Sequence, residues 1–152
     1  MPGNEYELKT LISQNKSSLP SYTRLSKNSH NQKFKVKNKK AICLKKNKFS
    51  NVLLIAFGPS LRFVENYINE LNVNVLYYNT IKPFDSLAFN KFKNIDKVIL
   101  IHELYIGSLV SEISQNFKRK VRIYDYGLPI KFFNNYGKEK NHYRDTLLNP
   151  KK

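Results

Sequence analysis

Four stretches of strand length constrain this chain more than anything else in it: NVLLIAF (51–57), VNVLYYN (73–79), KVILIHE (97–103) and KVRIYDY (120–126). The first is apolar throughout rather than alternating, the pattern of a strand covered on both faces. Segments with helical spacing lie between them. SLRFVENYINEL sets Leu61, Val64, Tyr67, Ile68 and Leu71 along one side, Asp85–Phe92 suits a short helix, and Gly107–Phe117 puts Leu109, Val110 and Ile113 on one face. Strands alternating with helices are joined by right-handed crossovers into a largely parallel sheet between helical layers. The expected class is therefore α/β, a three-layer α/β/α sandwich with a mostly parallel sheet.

The turns follow a local logic. In VLYYNTIKPFDSL (75–87), Pro83 fixes its own φ and pushes Lys82 into an extended conformation, which ends the strand. Asp85 is suited to N-cap the next helix, its carboxylate accepting from N–H groups two or three residues on. Gly58-Pro59-Ser60 reads as a tight turn into a helix. It lacks the glycine spacing and the Lys-Ser/Thr of a phosphate loop, and the flanking glycines of a nucleophile elbow.

The region before Asn51 is different in character. Residues 4–17 show helical spacing, with Tyr6, Leu8, Leu11 and Ile12 apolar, and SSLPSYTRLSK reads as a loop entering a short strand at Ser21–Leu25. Residues 26–40 are polar, with Lys33, Lys35, Lys37, Lys39 and Lys40 around Phe34 and Val36, which suits an exposed linker or edge hairpin. AICLKKNKF suits a short strand and a turn. Twelve basic and two acidic side chains lie in residues 1–50, so most of the formal charge of +16 sits there. Such a leader is read first as a solvated, compositionally biased segment, with neither a membrane nor a nucleic-acid partner expected; a contact for nucleic acid or another anionic surface is the alternative.

Other features narrow the function classes. No apolar run approaches the ~20 residues of a membrane span, and MPGNEYELKT carries acids and no apolar core of a secretory leader. Cys43 is the lone cysteine, which fits a reducing cytoplasm. Three scattered histidines and one cysteine make no metal site. His30 and His142 lie in polar segments and are expected to be solvated. His102 and Glu103 end a strand, where α/β proteins often place sites, and equally suit a capping or interface pair.

In order and spacing over about residues 40–145, NVLLIAFGPSL, NTIKPFDSL, VILIHELYIGSLVSEI and DYGLPIKFFNNYG resemble the C-terminal domain of transketolase-like, thiamine-diphosphate-dependent enzymes. That group includes transketolase, deoxyxylulose-phosphate synthase and the beta subunits of pyruvate-dehydrogenase-type decarboxylases. The Lys-Pro-(apolar)-Asp turn in NTIKPFDSL is the most specific element. MPGNEYELKTLI and LPSYTRLSK resemble the last helix and closing strand of the preceding pyrimidine-binding domain. One departure is the single glycine in Tyr105-Ile106-Gly107, where the family usually has two. A close backbone approach at that turn is thereby in question.

The resemblance implies a chain in two parts, a remnant of the pyrimidine-binding domain with a basic linker at 1–48 and a transketolase C-terminal-like domain at 49–150. It implies a C-terminal segment or split subunit with a structural or assembly role. No residue of this chain is expected to be catalytic, to bind the cofactor or to ligate metal. Thiamine diphosphate and magnesium would belong to the assembled enzyme, held by a partner chain carrying the diphosphate- and pyrimidine-binding domains, with a homodimer also open. Tyr6, Leu8, Leu11 and Ile12 would bury against that partner. Arg24, in the strand-like PSYTRLSK, matches the arginine that helps transketolases bind a sugar-phosphate substrate, a task that suits the guanidinium fork. It leans the reading toward sugar-phosphate transfer over 2-oxo-acid decarboxylation. The alternative is a non-enzymatic binding module whose basic leader contacts nucleic acid or an anionic surface.

Overall fold

The computed structural model describes residues 1–130 apart from Ser17 and Asn38. The helix expected in KNHYRDTLL, most of IKFFNNYG, and His142 lie outside the described residues. Helix α1 spans Glu5–Gln14. Strands β1 to β5 are Ile42–Lys45, Val52–Phe57, Asn74–Tyr78, Lys97–Tyr105 and Arg122–Leu128. A short helix α2, Val110–Ser114, precedes β5. The sheet runs in the order β1-β3-β2-β4-β5. The three pairings along β3-β2-β4-β5 are parallel, and β1 adds antiparallel to β3.

Alternation along the strands divides the core into two layers. Leu53, Ile55 and Phe57 of β2 join Leu76, Tyr78, Val98 and Leu100 on one face, under Phe89, Leu109 and Ile113. Leu54 and Ala56 point the other way and join Val75, Tyr77 and Ile101 under Leu61 and Ile68. A strand with both faces covered has no polar side to show, which explains the unbroken apolar run of β2. The fold is the expected α/β class, a mostly parallel sheet between covering layers.

Those layers are less helical than the spacing predicts. Gly58–Phe63 and Ser86–Lys91 are 3-10 turns. Residues 64–71 continue as turns, with the N–H of Tyr67 donating to Val64 and that of Glu70 to Tyr67. Asn66, Asn69 and Asn72 are weak helix formers, and the ammonium of Lys45 gathers the free carbonyls of Ile68, Asn69 and Leu71 at 3.0, 2.8 and 2.6 Å. Asp85 does not cap the turn after it. Its carboxylate instead accepts the N–H of Ala41 at 3.0 Å, with the ammonium of Lys40 at 3.4 Å. The strand foreseen at Ser21–Leu25 does not form, and that stretch is exposed and irregular.

Gly58 and Gly107 take φ of +53° and +90°, in the left-handed region that favours glycine. A Cβ at Gly107 would meet nothing within 4 Å, so this turn needs the glycine for its backbone conformation and not for close approach.

Candidate functional site

In this strand order the connection leaving β2 runs to β3 on one side, and that leaving β4 runs to β5 on the other. The crevice at the carboxyl ends of β2 and β4 is where open α/β sheets place ligands. Ser60, in the turn after β2, spans it: its hydroxyl donates to the Ile101 carbonyl at 2.6 Å and accepts the N–H of Phe57 at 3.2 Å.

His102 and Glu103 follow at the end of β4, both buried. The N–H of Leu104 donates to Nδ1 of His102 at 3.2 Å, which leaves the ring proton on Nε2, donating to Asp125 of β5 at 2.6 Å. The other oxygen of Asp125 accepts the N–H of Gly107 at 2.7 Å. Burial opposes ionisation of Asp125, but the hydrogen bonds from His102 and Gly107 prevail and hold the carboxyl below its ordinary value. Gly127 lets β5 lie against this ring, for a Cβ there would stand 2.5 Å from Cε1 of His102. Glu103 pairs with Arg62 at 3.1 Å and accepts from the hydroxyl of Ser26 at 3.1 Å. Both residues thus serve as capping and bridging groups, one of the two roles foreseen for them.

A second cluster joins the leader to the sheet, and the sequence reading missed it. The only buried residue of α1 is Glu7. Its Oε2 accepts the hydroxyl of Tyr77 at 2.7 Å and the N–H of Gly3 at 2.8 Å, while Nε2 of His30 lies 3.2 Å from Oε1. The same ring nitrogen is 3.1 Å from the hydroxyl of Tyr77, and Asn4 reaches Nδ1 at 3.3 Å. His30, expected in solvent, is therefore buried. Burial, then the neighbouring charge of Glu7, pushes the Tyr77 phenol far above its usual range. One signal was available. Asn4-x-x-Glu7 has the spacing of a capping box, and Asn4 does accept the N–H of Glu7 at 2.9 Å. Nothing in the sequence marked His30 or Tyr77 as its partners. Glu65, also buried and not singled out in the sequence, accepts the backbone N–H of Asn31 at 2.8 Å.

Arg24 is exposed and belongs to neither cluster. Two residues on, Ser26 contacts Glu103, which brings this stretch to the carboxyl end of β4. Of the apolar leader residues, Tyr6 and Ile12 are exposed and Leu8 and Leu11 half-buried. Among the described residues no group of three or more His, Cys, Asp or Glu could hold a metal ion. No helix among them is long and apolar enough to cross a membrane.

The fold defines an α/β protein whose mostly parallel five-stranded sheet carries one antiparallel edge strand. A solved structure described as a split gene transketolase, inactive beta4 tetramer, is similar to it, with a TM-score of 0.52 and 18% sequence identity. The likeness covers 67% of this chain and 36% of that one, so this chain spans little more than a third of that protein's length. The fold is transketolase-like. No family model and no curated protein matches the sequence.

The sequence resemblance implies thiamine diphosphate and magnesium for an assembled enzyme. At the carboxyl end of this sheet Asp125 is taken up by His102 and Gly107, and Glu103 by Arg62 and Ser26. These residues do not fit a diphosphate-bound divalent ion.

Proposed function

We propose that this chain is the C-terminal segment or split subunit of a transketolase-like, thiamine-diphosphate-dependent enzyme, that its role is structural and in assembly, and that it is not catalytic alone. The observation that carries this reading is the four-strand parallel order continued by an antiparallel edge, in a fold similar to a split-gene transketolase chain. In this reading a cytoplasmic partner chain supplies the diphosphate- and pyrimidine-binding domains and holds thiamine diphosphate and magnesium. The exposed Tyr6 and Ile12 of α1, with Leu8 and Leu11 beside them, offer apolar surface for that contact. The similar protein's inactive assembly of four beta chains supports self-association, a homodimer included, when the partner is absent.

Calorimetry on the purified chain tests the reading. Thiamine diphosphate with magnesium should give no heat of binding, and clear micromolar binding would overturn the division of labour. In the assembled enzyme the position of Arg24 near the carboxyl end of β4 suits a sugar-phosphate contact. Arg24→Ala should raise KM for that substrate about tenfold or more, the loss of a charge-assisted hydrogen bond. An unchanged KM removes Arg24 from the site.

A further inference from the structure

We propose that the outer face of residues 31–37 is a docking row for single-stranded nucleic acid, gripped through its phosphates. This role is separate from assembly and rests on different residues. The segment alternates in exposure as a strand would: Asn31, Lys33, Lys35 and Lys37 are exposed, whereas Gln32 and Phe34 are half-buried and His30 and Val36 buried. The inner side is pinned. Asn4 donates to the carbonyl of Gln32 at 2.9 Å and Gln14 to that of Val36 at 3.3 Å, and the Phe34 ring packs 5.3 Å from Tyr77. Fixed backbone and two-residue spacing set the three lysines in a line, roughly 7 Å between neighbours at extended-chain dimensions.

The three lysines share one sign, and the acid that touches the segment, Glu65, is held at its start by Asn31. No Asp or Glu occurs between Glu7 and Glu65, an interval holding 13 Lys and Arg. Lys33, Lys35 and Lys37 pair with no acid among the described residues. Protein interfaces deplete lysine and set opposite charges face to face. A phosphate backbone calls for the reverse, a run of unpaired cations, and a single strand follows such a run in an electrostatic groove. The aromatic ring of the segment, Phe34, is turned inward, so the contact is with phosphates and reads no bases.

The test measures binding of fluorescein-labelled oligo(dT) to the full chain across a salt series. The salt slope should fall by about 2 in K33Q/K35Q/K37Q, from three lost phosphate contacts at ~0.7 each, which is about a hundredfold in affinity at 0.1 M salt. The charge-matched control K93Q/K118Q/K120Q, also at exposed positions, should keep the wild-type slope. Thermal melts should match for all three proteins, since every substituted side chain is exposed. If the row variant melts early, K35Q alone should still lower the slope by about 0.7. Equal losses in both triple variants would reduce the effect to net charge and overturn the row. So would an unchanged row variant, no binding at physiological salt, or equally tight binding of polyglutamate, which would point to an acidic protein segment instead.

Discussion

Glu7 shows how one polar residue can do what apolar anchors usually do. The apolar residues of α1 stay exposed or half-exposed, and the helix is fixed to the sheet by a carboxylate held between Gly3, His30 and Tyr77. Two hydrogen bonds to Oε2 and the His30 ring beside Oε1 offset the cost of burying this carboxylate, and removing one member strands the rest. Glu7→Ala should therefore destabilise the fold by about 3 kcal/mol, read as a lower urea midpoint. Tyr77→Phe, which removes one hydroxyl from the same carboxylate, should cost about 1–2 kcal/mol. A Glu7→Ala midpoint equal to wild type would mean that the leader contributes nothing to the stability of the sheet.

At the level of elements, the parallel β4–β5 pair carries a pH dependence through Asp125. Its carboxyl is held below the ordinary value in the folded chain. The stabilisation is accordingly present above the unfolded value, near pH 4, and is lost as pH falls toward the lower folded one. Thermal melts should place Asp125→Asn below wild type at pH 7, with the gap closing as the buffer is taken below about pH 4. A gap that stays constant would exclude ionisation as its source. The strands were legible in the sequence, because burial on both faces leaves unbroken apolar runs and Pro83 ends one of them sharply. The covering segments were less so. Leu61 and Ile68 do face the core as their spacing predicts, but the chain that carries them, interrupted by Asn66, Asn69 and Asn72, settles into 3-10 and simple turns. Asp85 was recognised as a hydrogen-bonding group at the right place, yet it serves the N–H of Ala41 ahead of β1, a partner 44 residues away that no local rule names.

Across the whole molecule, the same limit separates what the sequence told from what it withheld. Periodicity is a local property and it located the sheet. The contacts that dock the leader link residues 23 to 77 positions apart, such as Glu7 with His30, Tyr77 with Glu7, and Ser26 with Glu103. Polar residues in a polar stretch look alike until the fold brings their partners, which is why His30 was assigned to solvent. On the proposed function, Arg24 would act only beside a partner chain.

The triple grip of Lys45 carries one more consequence. An ammonium on the edge strand β1 closes the carbonyl end of residues 58–71, a stretch that lacks a helical ladder of its own. The rim strand and the roof above it are thereby tied into one cooperative opening unit. Amide exchange should find both exchanging at a shared rate, and Lys45→Met should release both at once.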